Sequence, residues 1–572
     1  MKQACKSITS NKMIKSELPL KYNKIGYWVL LLSLFTVSCN TDFLDRRPLD
    51  SLTDGNFYQN ESQLLQATAP LYNAVWLSYN FKAVRSVELR ANTLFWNEQD
   101  FKSFSISSTN GDLSEAWQSF YNVVGQANMV IGNVGVYTPE SVSEAAKRNA
   151  LAEARFMRGL AYSMLVQLWG PVPVLENNLT LLTDTTQRRN TIESVWKLVI
   201  KDMVYAKDNL FEVSPQKGRL NKYAAEAMLS RMYLTHAGVG MPGDGTRRQS
   251  DLDSATYYAR NVIANGPFKI LDDYEELFKM KNNNNDESVF SLQWVYDGGW
   301  GTQNATQAFL AFNSHITGVG DGWGGQIGAG LNTLLLYEDF AKDKRRRATF
   351  MFPGDVYDYI SHEVNGVVRP YLKVPFDAQD RYAVDGNRSE FAWVKKYIVG
   401  RPEDNDGKMI FMATEINTYM MRLSEVYLTL AEALLGSNAS TSDAEAVNAV
   451  NIVRVRAGLD PLSQVTWDDI YRERMLEFAM ENISAFDYSR LHYYNPQKAY
   501  KMLSEMNRGF YWIRPIPNID NPVNWEVSDR SREDDRDFVT VNSTNFYLPI
   551  PDAEIVKAPS LLNPPVPYES NN

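Results

Sequence analysis

The chain has 572 residues, of which 44% are hydrophobic and 22% are charged, ordinary values for a globular protein with a sizeable core. Its formal net charge of −10 argues against nucleic-acid binding, because phosphate binding requires a basic surface. The four histidines and two cysteines have no recognisable metal-ligand spacing, so neither a metal site nor a cofactor is predicted.

The first 38 residues have the features of a lipoprotein signal peptide. Residues 25–38 are almost wholly apolar and follow several lysines. This run is too short to span a bilayer but is typical of a signal-peptide core. Cys39 follows directly and is predicted to become the lipid-modified first residue of the mature protein, with Met13 as a candidate true start. A plain secretory signal with a chance cysteine is the alternative.

Seven later segments have the three- and four-residue apolar spacing of amphipathic helices. They are 149–170, 191–210, 221–238, 251–266, 418–436, 442–458 and 467–486. The first is expected to stop at Gly170 and the second to open at Thr191. Two stretches, 221–266 and 418–458, have the length of tetratricopeptide-like helix pairs.

Two long regions lack helical spacing. Residues 270–417 are predicted to be irregular with short strands such as 289–296, and 509–572 are rich in proline and aromatic residues. Outside these regions, four tryptophans lie in or near apolar segments and are predicted to be core residues: Trp76, Trp117, Trp169 and Trp196.

Motifs spread over nearly the whole chain occur in the order found in one known family. They include CNTDFLDRRP after the signal, AEARFMRGLAYSMLVQLWGPVP at 152–173, MRLSEVYLTLAEALL at 421–435 and IYRERMLEFAMEN at 470–482. In these motifs the chain resembles the SusD/RagB nutrient-binding outer-membrane lipoproteins of Bacteroidota. It departs from the family pattern at Asn482, Ser484 and Ala485, where Gly, Arg and Trp are usual, and at NPPVPY (563–568) near the C-terminus.

The resemblance implies a mostly α-helical fold, in which tetratricopeptide-like helix pairs form a scaffold and inserted loops and short strands form a ligand face. It implies three parts: the signal peptide at 1–38, an N-terminal helical part at 39–270, and a C-terminal part at 271–572 that carries the ligand-binding loops. It also implies a lipid-anchored protein at the surface of the outer membrane. Such a protein would bind an oligosaccharide or polysaccharide and pass it to a SusC-like TonB-dependent transporter. A RagB-like peptide-binding protein is the alternative within the family.

The stretch Val319–Gly330, VGDGWGGQIGAG, holds six glycines and one tryptophan. Gly320, Gly322 and Gly325 fit the G-x-G-x-x-G pattern of a dinucleotide-binding turn, but no βαβ repeat follows them. A flexible surface loop is a second interpretation. The favoured interpretation is a carbohydrate-binding loop, because apolar sugar faces stack on aromatic rings while sugar hydroxyls bond to polar side chains.

The candidate ligand-binding residues combine aromatic rings with polar side chains on segments predicted to be irregular. In the C-terminal part they are Trp294, Tyr296, Trp300, Asp321, Trp323 and Gln326. Trp96 and Asn97 lie on another such segment, 88–104. The family often contributes an aromatic residue to its ligand site from this loop, so the resemblance favours Trp96.

An enzyme is not predicted. No nucleophile elbow, H-E-x-x-H motif or phosphate-binding loop occurs. A surface glycoside hydrolase remains the less favoured alternative, since it needs only two carboxylates flanking a bond and Glu473, Glu477 and Glu481 recur on one helix face. Arg472 and Arg474 beside them favour an ion-pair network that holds helices together.

Overall fold

The computed structural model describes residues 56–97, 100–179, 186–382, 388–516, 525–529 and 536–568. Cys39 and the predicted signal peptide lie outside these ranges. Helices of nine or more residues are α1 Gly111–Tyr137, α2 Glu144–Trp169, α3 Ile192–Asn209, α4 Lys222–His236, α5 Gln249–Asn265, α6 Leu423–Leu435, α7 Ala444–Arg456, α8 Trp467–Phe478, α9 Ser484–Tyr494 and α10 Pro496–Ser504. Shorter helices are Glu61–Thr68, Leu77–Ala83, Leu89–Ala91, Thr306–Leu310, Ser314–Thr317, Leu331–Leu334, Lys344–Thr349 and Asp552–Lys557.

The helices α1 to α5 stack in chain order, each packing against the next, and α6 then packs against α5 and α7 against α6. The predicted pairs 221–266 and 418–458 correspond to α4–α5 and α6–α7, so the mostly helical, paired scaffold is confirmed. The boundary after residue 270 stays a prediction, and α5 and α6 contact each other across it. None of the helices in the described ranges has the length and apolarity needed to cross a membrane.

Local sequence signals set the helix ends. The hydroxyl of Thr191 accepts a hydrogen bond from the backbone N–H of Ser194 at 3.3 Å and so caps α3, as predicted. The helix α2 ends at Trp169, where Gly170 adopts a φ of +71°. Within the stack, the buried guanidinium of Arg158 in α2 donates to Asp202 in α3 at 2.7 and 2.9 Å, and to Asn128 in α1 at 2.9 Å. The four tryptophans predicted as core residues are all buried.

Two predicted helices differ from the structure. Residues 418–422 form a strand before α6 begins at Leu423, because all five side chains are buried against a partner strand. The segment 467–486 is two helices, since α8 ends at Phe478 and α9 begins at Ser484. Between them, Met480 and Asn482 have φ values of 69° and 61°, which a helix does not allow.

The strands are short and lie mostly in the region predicted to be irregular. They are β1 Leu94–Trp96, β2 Ser288–Leu292, β3 Ile327–Ala329, β4 Phe350–Met351, β5 Val356–Tyr357, β6 His362–Val364, β7 Val367–Arg369, β8 Leu372–Lys373, β9 Trp393–Val394, β10 Met409–Ile410, β11 Ala413–Thr414, β12 Thr418–Arg422, β13 Ser440–Thr441, β14 Val465–Thr466, β15 Tyr511–Pro515 and β16 Trp525–Asp529. One sheet has the order β1-β3-β9-β4, and the other strands pair as β10-β11, β12-β2, β13-β14, β15-β16, β5-β8 and β6-β7, all antiparallel.

The carboxylates of Glu473, Glu477 and Glu481 belong to a buried ion-pair network, which confirms that part of the prediction. The cations that lie between 2.6 and 2.9 Å from one of these carboxylates are Arg345, Arg422, Arg454 and Lys396. Arg472 and Arg474, the neighbours expected to supply the positive charge, pair with other carboxylates. The network therefore joins α8 to distant segments rather than linking residues within one helix.

Candidate functional site

The sheet β1-β3-β9-β4 brings together two of the predicted ligand-binding segments. The strand β1 pairs with β3, so that Trp96 lies opposite Ile327. One residue beyond this pair, Asn97 and Gln326 lie at the same end of the two strands, and both are exposed. Three predicted site residues that are far apart in the sequence thus meet in space.

The glycines around Trp323 permit close backbone packing. A Cβ atom on Gly324 would lie 2.3 Å from the carbonyl oxygen of Leu310, and one on Gly322, which has a φ of +111°, would lie 2.4 Å from that of Asn313. The backbone N–H of Trp323 donates to the carbonyl of Ala308 at 2.9 Å. The stretch is therefore a closely packed loop that leads into β3, which differs from the strand-turn-helix of a dinucleotide site.

Trp323 is half exposed, as predicted for a tryptophan flanked by glycines. Its side chain is 49% exposed and packs edge-to-face on Phe309, with ring centroids 5.3 Å apart. Its second aromatic neighbour is Phe411, at 6.0 Å. Phe411 is 52% exposed, so both rings present apolar surface to solvent.

Trp96 extends this aromatic surface. It is half-buried and lines a crevice with Arg85 and Phe309, and the guanidinium carbon of Arg85 lies 4.8 Å from the centre of the tryptophan ring. We call the set Trp96, Phe309, Trp323 and Phe411 the aromatic platform. Asn97 and Gln326 lie beside it and offer exposed amides. Such a surface can stack on apolar faces and hydrogen-bond hydroxyl groups, which are the two features of a sugar ring.

Asp321 is placed differently from the prediction. It is 3% exposed, and its Oδ2 accepts a hydrogen bond from the backbone N–H of Met412 at 2.7 Å. The carboxylate therefore holds the β10-β11 turn against the loop of Trp323 and positions Phe411 there. Asp321 supports the aromatic platform instead of facing solvent.

The other three predicted residues lie on the segment that follows β2. Trp294 is only 4% exposed and its Nε1 donates to Thr418 at 3.0 Å, so the prediction that it offers a ring to a ligand is wrong in this structure. Tyr296 is half-buried. Trp300 is 71% exposed. The loop that carries it continues to Asn304, which pairs with Thr414 in β11 and so lies near the β10-β11 turn that carries Phe411.

Comparison with known proteins agrees with the architecture. The model of the SusD family matches residues 275–566, and a second model, described as "Starch-binding associating with outer membrane", matches residues 42–234. The chain is also 37% identical over 556 residues to a SusD-like protein of Bacteroides ovatus, covering 94% of this chain and 97% of that protein. The chain belongs to the SusD family.

Two other relatives of this SusD-family protein differ in their sequence identity to it and in the share of the chain that they match. A crystal structure determined with xylogluco-oligosaccharide is 35% identical, has a TM-score of 0.76, and is matched over 89% of this chain and 100% of that chain. The starch-binding protein SusD of Bacteroides thetaiotaomicron is 24% identical over 388 residues, which cover 63% of this chain and 67% of that protein.

Sequence reasoning missed three members of the site in this SusD-family protein. Phe309 and Phe411 lie in the short apolar runs TQAFL and KMIFM, which read as core segments. Arg85 lies in the segment FKAVRSVELR (81–90), where nothing in the sequence places it beside Trp96. Their roles depend on which surface of the folded protein is exposed to solvent here. The spacing of these residues in the sequence does not indicate that surface.

Glu477, on the acidic face of α8 in this SusD-family protein, is unsuited to act as the general acid of glycoside hydrolysis. Burial by itself raises the pKa of Glu477, but the combined effect of Arg456, Arg422 and Arg345 is larger and lowers this pKa to about 2. A glycosidase needs one carboxylic acid that holds a proton near neutral pH and a substrate that reaches it. Glu477 is ionised at neutral pH and buried, so it meets neither requirement.

Proposed function

We propose that this chain is a cell-surface lipoprotein that binds an oligosaccharide or polysaccharide on the aromatic platform and delivers it to a SusC-like TonB-dependent transporter. The observation that carries the proposal is the platform itself. Four rings from separate segments, at 96, 309, 323 and 411, form one partly exposed face with amides at its edge. Exposed aromatic surface of this kind marks binding sites.

The relatives support a glycan as the ligand. A structure that is 35% identical was determined with xylogluco-oligosaccharide, and its similarity extends over 89% of this chain. We therefore take a xyloglucan-type oligosaccharide as the first candidate ligand. Delivery to the transporter, attachment to the outer membrane through Cys39 and exposure at the cell surface follow from the resemblance to the SusD/RagB family and complete the proposal.

Calorimetric titration of the purified protein with xylogluco-oligosaccharide tests the platform. Removing the indole of Trp323 by Trp323→Ala is expected to cost about 1–3 kcal/mol of binding free energy, as for aromatic residues at the centre of other interfaces. This corresponds to an affinity loss of about 5- to 150-fold. Trp96→Ala and Phe411→Ala are expected to weaken binding in the same direction.

Tyr257→Ala is the matched control, because Tyr257 is a 65% exposed ring on α5 in the helical scaffold. It should leave affinity unchanged. Normal binding by Trp323→Ala together with a lower melting temperature would instead make Trp323 a packing residue and exclude the platform. Binding of a defined pool of short peptides, with no heat from any glycan, would favour the RagB-like alternative.

Two further experiments address the cellular part of the proposal. Extraction of membranes with a mild detergent and pulldown of the protein should recover a large TonB-dependent barrel. Its consistent absence from membranes that contain both proteins would contradict delivery to such a transporter. Incubation of the protein with a glycan that it binds should release no new reducing ends, whereas steady release that survives repurification would make the protein an enzyme.

A further inference from the structure

Three side chains that can ligate a metal lie close together: His315 in the short helix Ser314–Thr317, His362 at the start of β6, and Asp380. The Oδ2 atom of Asp380 lies 2.6 Å from Nδ1 of His315, and its Oδ1 atom lies 3.1 Å from Nε2 of His362. The three candidate ligand atoms all lie within 4.8 Å of one another. In the part of the chain that the structure describes, no other group of three or more His, Cys, Asp or Glu side chains has this arrangement.

His362 is the strongest sign that the cluster binds a further group. It is 1% exposed, and its Nε2 makes no hydrogen bond of acceptable geometry although it lies 3.1 Å from Asp380. The hydroxyl of Tyr382 is also buried without a hydrogen-bond partner. Buried polar atoms are rarely left without a partner, so an unsatisfied imidazole nitrogen beside a carboxylate indicates a binding site.

The donor set selects the class of ligand. Two imidazoles and one carboxylate suit zinc and the neighbouring first-row transition metals, whereas calcium and magnesium prefer oxygen ligands. Zinc bonds to nitrogen and oxygen at about 2.0–2.1 Å, which places neighbouring ligand atoms about 3.4 Å apart in a tetrahedral site. The separations here, from 2.6 Å to within 4.8 Å, span that value. Small side-chain rotations therefore suffice to form the site.

We propose that His315, His362 and Asp380 bind one divalent first-row transition metal ion, with zinc as the best match. The side chain of His315 is 48% exposed, so the ion can enter from solvent. Three protein ligands leave a fourth position for water. This site does not depend on the glycan-binding function proposed above.

The ion would join the segments that support the platform loop. A Cβ atom on Gly322 would lie 2.4 Å from the carbonyl oxygen of Asn313, two residues before His315. One on Gly325 would lie 3.0 Å from Cβ of Ala378, two residues before Asp380. The loop of Trp323 thus rests on the two segments that supply the exposed histidine and the carboxylate, and a bound metal would fix these segments to each other and to β6.

The test uses the purified full chain without a polyhistidine tag, stripped with a chelator and dialysed. Zinc titrated by calorimetry should bind with one ion per chain, and cobalt should give the visible absorption bands of a four-coordinate Co²⁺ ion. Calcium should not displace either metal. His362→Gln and Asp380→Asn should each weaken zinc binding by more than about 100-fold, since loss of an outer-shell partner alone costs about 10- to 100-fold.

Asp377→Asn is the matched control, because Asp377 lies in the same turn but pairs with Arg381 outside the cluster. It should bind zinc like the wild type. His315→Ala, at the exposed position, should lose the cobalt bands while keeping the melting temperature of the metal-free wild type, which separates loss of a ligand from misfolding. Absence of stoichiometric zinc binding by the wild type, or equal binding by the wild type and Asp380→Asn, would overturn the proposal.

Discussion

Replacement of Arg422 by methionine is expected to destabilise the fold far more than loss of an exposed arginine. Arg422 is 1% exposed, and its guanidinium lies 2.7 Å from one oxygen each of Glu287, Glu477 and Glu481. Methionine fills much of the volume but leaves the three carboxylates with less positive charge. Removing one partner of a buried ion pair costs about 3–5 kcal/mol, because the remaining charge has lost its compensation.

Other cations in the network determine where the expected loss of stability lies within the range of about 3–5 kcal/mol. Arg456 lies 3.0 Å from Glu287, and Lys396 lies 2.9 Å from Glu481, so neither carboxylate is left without a partner. We therefore expect the free energy of unfolding to fall by about 4 kcal/mol rather than by the sum of three separate losses. Arg422→Lys should recover only part of this, because an ammonium group cannot replace the bidentate contacts of a guanidinium.

Urea unfolding followed by tryptophan fluorescence measures the difference. The control is Arg260→Met, since Arg260 pairs with Glu445 while its side chain is 53% exposed. Exposed pairs contribute about 0–1 kcal/mol, so this variant should remain close to the wild type. Equal losses for Arg422→Met and Arg260→Met would refute the view that the buried network holds α8 to the remainder of the fold.

Three further predictions concern pH, the platform loop and the membrane anchor. Burial raises the pKa of Glu477, but the neighbouring arginines lower it to about 2, below the value of about 4.3 in an unfolded chain. The ionised Glu477 therefore stabilises the fold fully above a pH of about 4.3, and this contribution is lost as the pH falls towards about 2. The urea concentration at the midpoint of unfolding should decline over that pH window, and it should decline less steeply in Glu477→Gln. Gly324→Ala would place a Cβ 2.3 Å from a backbone carbonyl oxygen. It should lower the free energy of unfolding by about 1–3 kcal/mol and weaken glycan binding. Gly135→Ala on α1, where a Cβ would meet no atom within 4 Å, should be neutral or stabilising. Cys39→Ala should move the protein from the membrane to the soluble fraction, and unchanged palmitate labelling would contradict lipid attachment at that residue.

The helical scaffold could be predicted from the sequence because its signals are local. Thr191 caps α3 and Gly170 ends α2 through contacts within a few residues of each helix end. The strand at 418–422 could not be predicted, since its apolar residues continue the helical pattern of α6 and only the pairing with β2 selects an extended backbone. Long-range pairing overrides local propensity there.

The candidate site was predictable only where local sequence determines exposure. Trp323 was expected to be exposed because glycines on both sides cannot cover it, and it is. Trp294, also in an aromatic-rich segment, is buried, and its Nε1 donates to Thr418 in β12, a contact between residues far apart in the sequence. Phe411 reaches the platform through a turn that Asp321 holds in place, a contact between residues far apart in the sequence.

The direct packing of α5 against α6 has an evolutionary consequence. These helices are neighbours in the stack, although residues 266–422 separate them in the chain and include three of the four rings of the platform. Three of the four rings thus enter the scaffold at one point in the chain, whereas Trp96 comes from the segment before α1. Sequence changes between 266 and 422 can therefore alter this exposed aromatic surface while α1 to α7 keep their sequence. A scaffold of this kind can vary most of its exposed aromatic surface within one segment of the gene.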